Sequence, residues 1–327
     1  MKNGIIIIQE GYPVRSQNLW LIWGLLFILI FTGCSPANSL KKDPNRVQAY
    51  TTLYPLEYFA KRIGGERIHV ENLVPVGTDL HDFEPSASDL AKLAAADLFI
   101  YNGADLEPWV EKMGNVIDQQ KTKMVQATQS ISLLSAESEP EHRDEHKDHP
   151  HIKNPHVWLD PQLAKKQAAQ IKRGLIEVDP KHQSVYEKNY QQLVAELDQL
   201  DREFQRAIER RKVNQIVVPH DAFAYLSKRY GLHQITISGL SSMDEPTPQK
   251  LKQVVDVIKK HQLKYVFFEP FGDQKLVQIV QKETGVQALM LHPLEGRTKQ
   301  EVASDEDYFS IMRKNKENLS RALESSS

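Results

Sequence analysis

Between Asp179 and Arg211 the apolar side chains Tyr186, Tyr190, Leu193, Leu197, Leu200, Phe204 and Ile208 recur at spacings of 4, 3, 4, 3, 4 and 4. That period places them in one stripe along a helix. A helix opening near Asp179-Pro180 and running to about Arg211 is roughly 45 Å long at 1.5 Å per residue. This is too long for one crossover within a small sheet. The spacing therefore predicts a spine that joins two lobes, with a coiled-coil partner helix as the alternative.

On both sides of this helix the chain alternates between short apolar runs and amphipathic stretches. Before it, strands are expected at Val47–Leu53, Ile68–Val74, Leu98–Tyr101 and Met124–Ala127. The helices between and after them are expected at Leu56–Ile63, from the Ser86 cap to Ala95, at Leu106–Val116 and from Pro161 to about Val178. After it, strands are expected at Gln215–Val218, Gln234–Ile237, Tyr265–Phe268 and Ala288–Leu291. Helices there are expected at Ala222–Tyr230, Pro248–His261, Lys275–Thr284 and Asp305–Leu323. Strand–helix repetition with short loops implies parallel sheets covered by helices. The expected fold class is α/β: two open parallel-sheet lobes joined by a long rigid helix. The lobes cover residues 47–178 and 212–327, with the linker helix at 179–211.

The formal net charge of -2 lacks the basic footprint that nucleic-acid binding requires. Cys34 is the single cysteine, so an intrachain disulfide is excluded and stability must come from the core. Leu19–Phe31 is an apolar run of thirteen residues, too short to span a bilayer comfortably but suited to a signal-peptide core. It ends at Phe31-Thr32-Gly33-Cys34, which resembles a bacterial lipobox, although Phe31 replaces the usual leucine. Residues 1–33 are thus expected to be a lipoprotein signal peptide, Cys34 the lipidated residue, and 34–46 a polar tether. The alternative is an ordinary signal peptide with a chance cysteine. Lipidation would hold the protein at a membrane surface without spanning it.

Four loops at strand ends carry the chemistry. One reads Pro75-Val76-Gly77-Thr78-Asp79-Leu80-His81-Asp82-Phe83-Glu84-Pro85. A second leads to Asn154-Pro155-His156-Val157-Trp158-Leu159-Asp160-Pro161, read as an extended piece entering a helix capped by Asp160. The others are Pro219-His220-Asp221-Ala222 and His292-Pro293-Leu294-Glu295-Gly296. Open α/β sheets bind ligands beyond the carboxyl ends of their strands, so these loops would converge. Three imidazoles and a carboxylate form a tetrahedral set that zinc accepts, with bonds of about 2.0–2.2 Å. Histidine ligands need acceptors on their second nitrogen, and Glu84, Asp160 and Asp221 are near in sequence. Between 137 and 153 a charged tract without apolar periodicity holds His142, His146, His149 and His151. It is expected to be a mobile loop, either metal-gathering or a solvated linker.

On these motifs the chain, over nearly all of residues 46–323, resembles the zinc-binding solute-binding lipoproteins of bacterial ABC transporters, the ZnuA/AdcA-like metal-receptor family. The resemblance implies two lobes on a rigid helix, with the metal held between them by His81, His156 and His220. Where the last loop ends Pro-Leu-Glu the glutamate is the fourth ligand, which maps to Glu295. Other members carry an aspartate where this chain has His292, which makes His292 the runner-up. Glu269 is expected to support the site rather than to ligate. Manganese relatives tend to have a carboxylate at the position of His220, and a third imidazole favours zinc.

The implied function is capture of Zn2+ outside the cytoplasm by a lipid-anchored monomer and delivery to an ABC permease and its ATPase. Alternatives are a receptor of the same type for manganese or another divalent metal, a surface adhesin lipoprotein or, distantly, a zinc hydrolase. Four protein ligands leave no open position for a reacting water, so no enzyme is expected. His142-Arg143-Asp144-Glu145-His146 matches an inverted zinc-protease motif, but it lies in a charged tract without the helix that chemistry needs.

Overall fold

The computed structural model describes residues 43, 45–78, 80, 83–113, 117–118, 120–136, 152–240, 246–272 and 274–324. Residues 1–33, Cys34, most of the tether, His81, and His142, His146, His149 and His151 lie outside the described residues.

Strands β1 (Val47–Thr51), β2 (Ile68–Asn72), β3 (Leu98–Tyr101) and β4 (Lys123–Gln126) form one parallel sheet in the order β2-β1-β3-β4. Ala49 pairs with Val70 on one side and Leu98 on the other, and all three are buried. As a central strand covered on both faces, β1 is buried at four of its five positions. The chain leaves β1 for β2 on one side and returns on the other for β3, so the crevice opens beyond Thr51 and Tyr101.

Helix α1 (Tyr54–Gly64) carries Pro55 at its second position, where a missing N–H costs nothing, and buries Leu56, Phe59, Ala60 and Ile63. Helix α2 (Ala87–Ala94) opens on a reciprocal cap between Ser86 and Asp89. Helix α3 is confined to Pro108–Lys112 rather than starting at Leu106, because Ala104 and Asp105 hold left-handed φ values of 59° and 62° just before it. Helix α4 (Pro161–Val178) begins where Asp160 accepts the Gln162 N–H at 2.8 Å. Gly174 lets it lie close on the sheet: a Cβ there would stand 2.5 Å from a Val125 methyl.

The long helix α5 spans Gln183–Glu209. It starts three residues later than the expected opening at Asp179-Pro180, because Pro180–His182 forms a 3-10 turn. Asp179 holds that turn by accepting the Tyr186 hydroxyl at 2.5 Å and meeting His182 Nδ1 at 2.7 Å. Tyr186, Leu193, Leu197, Leu200, Phe204 and Ile208 are buried, while Tyr190 is half-buried under Lys172. The first part of α5 grips the N-terminal half, where Asn189 donates to the Ile63 carbonyl at 3.0 Å and Glu196 pairs with Arg62. The last part grips the C-terminal half. There Asp201 takes Arg229, Glu203 takes Arg313 at 3.1 Å, and Phe204 stacks on Tyr230 at 5.2 Å. One helix therefore serves both halves, as a spine does.

In the C-terminal half β5 (Gln215–Val218) pairs in parallel with β6 (His233–Thr236), and β7 (Tyr265–Phe268) with β8 (Gln287–Met290). Strands β5 and β7 lie side by side. Helices α6 (Ala224–Tyr230), α7 (Pro248–Lys260) and α8 (Gln274–Thr284) alternate with these strands. Val217, Ile237, Val254, Ile258, Val266, Val277 and Val280 form their core. A short helix α9 (Lys299–Ala303), capped by Thr298 and Glu301, was not expected from periodicity. The final helix α10 (Tyr308–Glu324) begins after Asp305, whose φ of 55° breaks any earlier start. It reaches back to the first half: Tyr308 packs edge-on to Phe59 at 5.0 Å, and Asp307 accepts the Tyr58 hydroxyl at 2.8 Å. Among the described residues, no helix is long and apolar enough to cross a membrane.

Candidate metal centre

Three of the four loops singled out above meet among the described residues. His156 stands at the entrance of a 3-10 turn, Val157–Leu159, rather than in an extended piece, because the Asp160 N–H turns back to the Val157 carbonyl at 3.2 Å. Trp158 is fully buried there; its indole N–H donates to the Pro293 carbonyl at 2.7 Å, and its own carbonyl accepts the Tyr308 hydroxyl at 2.7 Å. His220 comes two residues after β5, behind Pro219, and precedes the turn Asp221–Phe223. Glu295 comes five residues after β8, beyond Leu294, whose φ is 61°.

These turns bring His156, His220 and Glu295 into one buried cluster whose donor atoms all lie within 4.8 Å of one another. Glu295 Oε1 is 3.1 Å from His156 Nε2 and 3.3 Å from His220 Nε2. Donors bound at about 2.0–2.1 Å in a tetrahedron stand about 3.3 Å apart, so this spacing suits a zinc-sized ion. The second nitrogen of each ring faces an acceptor: Asn154 Oδ1 is 3.1 Å from His156 Nδ1, and Glu269 Oε2 is 2.8 Å from His220 Nδ1. With a proton on each Nδ1, both Nε2 lone pairs and the Glu295 carboxylate point at one place. A cation satisfies all three.

Charge favours the same occupant. Burial opposes a positive His220, but Glu269 and then Glu295 outweigh it and push the imidazole well above its ordinary range. Burial pushes the Glu269 carboxyl up, and His220 pulls it partly back.

The acceptors differ from those expected by nearness in sequence. Glu84 is exposed. Asp160 caps α4 and lies 3.4 Å from Arg229, and Asp221 accepts the Gln234 side-chain N–H at 2.6 Å. Glu269 and Asn154 take those places. Asn154 is two residues from His156 and could have been found in the motif, whereas Glu269, expected to support the site, meets His220 because β5 and β7 lie side by side. His292 stands apart from the cluster. Its Nδ1 accepts the Leu294 N–H at 2.8 Å, and its Nε2 lies 3.3 Å from Glu301. Burial would raise Glu301, but His292 and the Thr298 N–H and hydroxyl hold it down to about 2.

Parallel α/β sheets bridged by one long helix, with a buried nitrogen-and-oxygen donor cluster drawn from both of its sides, define a metal-receptor protein of the solute-binding class. The chain belongs to the family described as "ZnuA: Zinc-uptake complex component A periplasmic", whose model matches residues 50–322. It is 34% identical over 301 residues to the zinc-binding lipoprotein AdcA of Streptococcus pneumoniae, covering 91% of this chain and 60% of that one. The chain thus spans about 60% of the length of that relative. It is 32% identical over 312 residues to the high-affinity zinc uptake system protein ZnuA of Bacillus subtilis, covering 92% of this chain and 98% of the relative. Among solved structures, the Zn(II)-bound ZnuA-like domain of Streptococcus pneumoniae AdcA superposes with a TM-score of 0.73 at 34% identity, covering 86% of this chain and all of that domain.

Proposed function

We propose that this protein is an extracytoplasmic receptor that captures Zn2+ and hands it to an ABC permease for uptake. The observation that carries this reading is the convergence of His156 Nε2, His220 Nε2 and Glu295 Oε1 at 3.1 and 3.3 Å, each imidazole backed by an acceptor on its other nitrogen. His81 completes the ligand set as the fourth donor. His292 is left out because both of its nitrogens already serve the turn around it. Three imidazoles favour zinc over manganese, which prefers oxygen ligands. The names of the pneumococcal and Bacillus relatives point to the same ion.

The protein works as a monomer, organised as lobes 47–178 and 212–327 on the 179–211 helix, and is anchored to the cell membrane through lipid on Cys34. The loop 137–153, with His142, His146, His149 and His151, gathers zinc at low affinity. Docking on the permease disturbs the lobes and releases the ion. A centre filled by four protein donors captures rather than catalyses.

The test is calorimetry and elemental analysis on metal-stripped protein with Zn2+ and Mn2+. One tightly bound zinc per chain is expected, with large losses in His81→Ala, His156→Ala, His220→Ala and Glu295→Ala. Tighter manganese than zinc binding, or wild-type affinity in those variants, would overturn the reading.

A further inference from the structure

We propose that Asn154 is the positioning residue of the metal centre: its one amide sets the tautomer of His156 and ties the loop bearing His156 to the loop bearing His220. This rests on the reading of both histidines as ligands.

The side chain is fully buried, and each end of the amide has a partner that allows only one orientation. Nδ2 lies 2.6 Å from the Asp221 carbonyl, which can only accept, so the nitrogen must be on that side. Oδ1 lies 3.0 Å from the His156 backbone N–H, which can only donate, so the oxygen must be on the other. The same oxygen is 3.1 Å from His156 Nδ1. That nitrogen must therefore carry a proton, and Nε2, 3.1 Å from Glu295 Oε1, is the nitrogen left to take a metal ion. Asn154 is itself held from both halves: its N–H donates to the Leu134 carbonyl at 2.9 Å and its carbonyl accepts the Tyr225 hydroxyl at 2.8 Å.

The bond to Asp221 adds a second consequence. Asp221 is the residue after His220, so the amide links one ligand loop to the chain next to the other. The link does not need the ion, and it presets the distance between the two imidazoles before zinc arrives. The arrangement also explains an amide here rather than a carboxylate. Glu269 and Glu295 already place two acids in this buried cluster. A third acid would add repulsion and would meet the Asp221 carbonyl oxygen to oxygen. Removal of such a partner of a metal-binding histidine costs about 10–100-fold in metal affinity.

The experiment uses the metal-stripped and zinc-loaded full chain, with wild type, Asn154→Ala, Asn154→Asp and His156→Ala in parallel. Nitrogen-15 histidine spectra of zinc-loaded wild type should show His156 protonated at Nδ1 and metal-bound at Nε2. Asn154→Ala should lose about 10–100-fold in zinc affinity. Asn154→Asp keeps the acceptor for His156 and should keep the tautomer. Having lost the bond to Asp221, it should release zinc to a chelator several-fold faster than wild type. Metal on His156 Nδ1 in wild type, or wild-type release from Asn154→Asp together with wild-type affinity in a folded Asn154→Ala, overturns the proposal. If His156→Ala itself binds zinc as wild type does, the ligand assignment has failed instead, and the two failures are told apart by that one variant.

Discussion

The Trp158 indole N–H reaches the Pro293 backbone carbonyl at 2.7 Å, across 135 residues of chain. Trp158 is two residues past His156, and Pro293 is two residues before Glu295. One buried hydrogen bond thus fixes the spacing between a nitrogen and an oxygen of the candidate metal centre. Trp158→Phe keeps most of the ring volume but orphans the carbonyl, which costs about 1–3 kcal/mol in a buried site. We expect a lower thermal midpoint in metal-free protein and a weakened zinc affinity. An unchanged affinity in the folded variant would show that the bond serves stability alone.

Zinc binding should weaken on acidification. Glu269 and Glu295 raise the affinity of His220 for a proton in metal-free protein. Because the folded value lies above the ordinary one, this proton stabilises the metal-free fold fully at low pH, and the benefit is lost as pH rises through the folded value. Zinc must displace the proton from Nε2, so affinity rises with pH and binding releases a proton. Calorimetry in two buffers of different ionisation enthalpy measures that release. Identical apparent enthalpies would count against it.

His292→Ala should leave one zinc bound and cost less affinity than His156→Ala or His220→Ala. The ring supports Leu294 in its left-handed turn and meets Glu301, the residue that caps α9. Its removal orphans the buried Leu294 N–H, with an expected loss of about 1–3 kcal/mol of stability. Equilibrium denaturation measures that loss, and elemental analysis checks the zinc. A variant that binds no zinc yet keeps its stability would restore His292 as a ligand.

Glu107 should give the protein a second pH dependence, independent of metal. Burial pushes its carboxyl from 4.5 up to about 7, against the pull of donors from Thr52, Asn102 and Gly103. A raised folded value means that its stabilising contribution is complete below about 4.5 and is lost as pH rises through about 7. Glu107→Gln cannot bind that proton. The stability of wild type relative to the variant should therefore decline across this window, as read from denaturant midpoints. A constant difference would mean that Glu107 titrates elsewhere. The effect bears on the metal centre because Asn102, whose backbone N–H Glu107 accepts, holds the Pro155 carbonyl at 3.1 Å, next to His156.

Much of the architecture was legible in residue order. Helix α4 begins at Pro161 behind the Asp160 cap, and three strands fall where their apolar runs predict them: Leu98–Tyr101, Gln215–Val218 and Tyr265–Phe268. The misses lie where the backbone takes a conformation that residue type does not announce. Ala104, Asp105 and Asp305 turn left-handed without a glycine, and this moved the starts of α3 and α10. The 3-10 turn at Pro180–His182 shortened the long helix because Asp179 found Tyr186 and His182 as partners.

The sequence by itself determined the alternation of strands and helices, the amphipathic spine, and the short motifs that carry His156, His220 and Glu295. These are local properties, set by side-chain periodicity and by the backbone limits of proline and capping residues. Only the tertiary structure decided which groups share the centre. Glu269 meets His220 while Asp221 accepts from Gln234, Asn154 bonds both the Asp221 carbonyl and the His156 N–H, and His292 braces the chain beside it. Hydrogen bonds between residues distant in sequence depend on how strands pair and where helices pack. A side chain's role in such a network follows from that packing, which no short stretch of sequence contains.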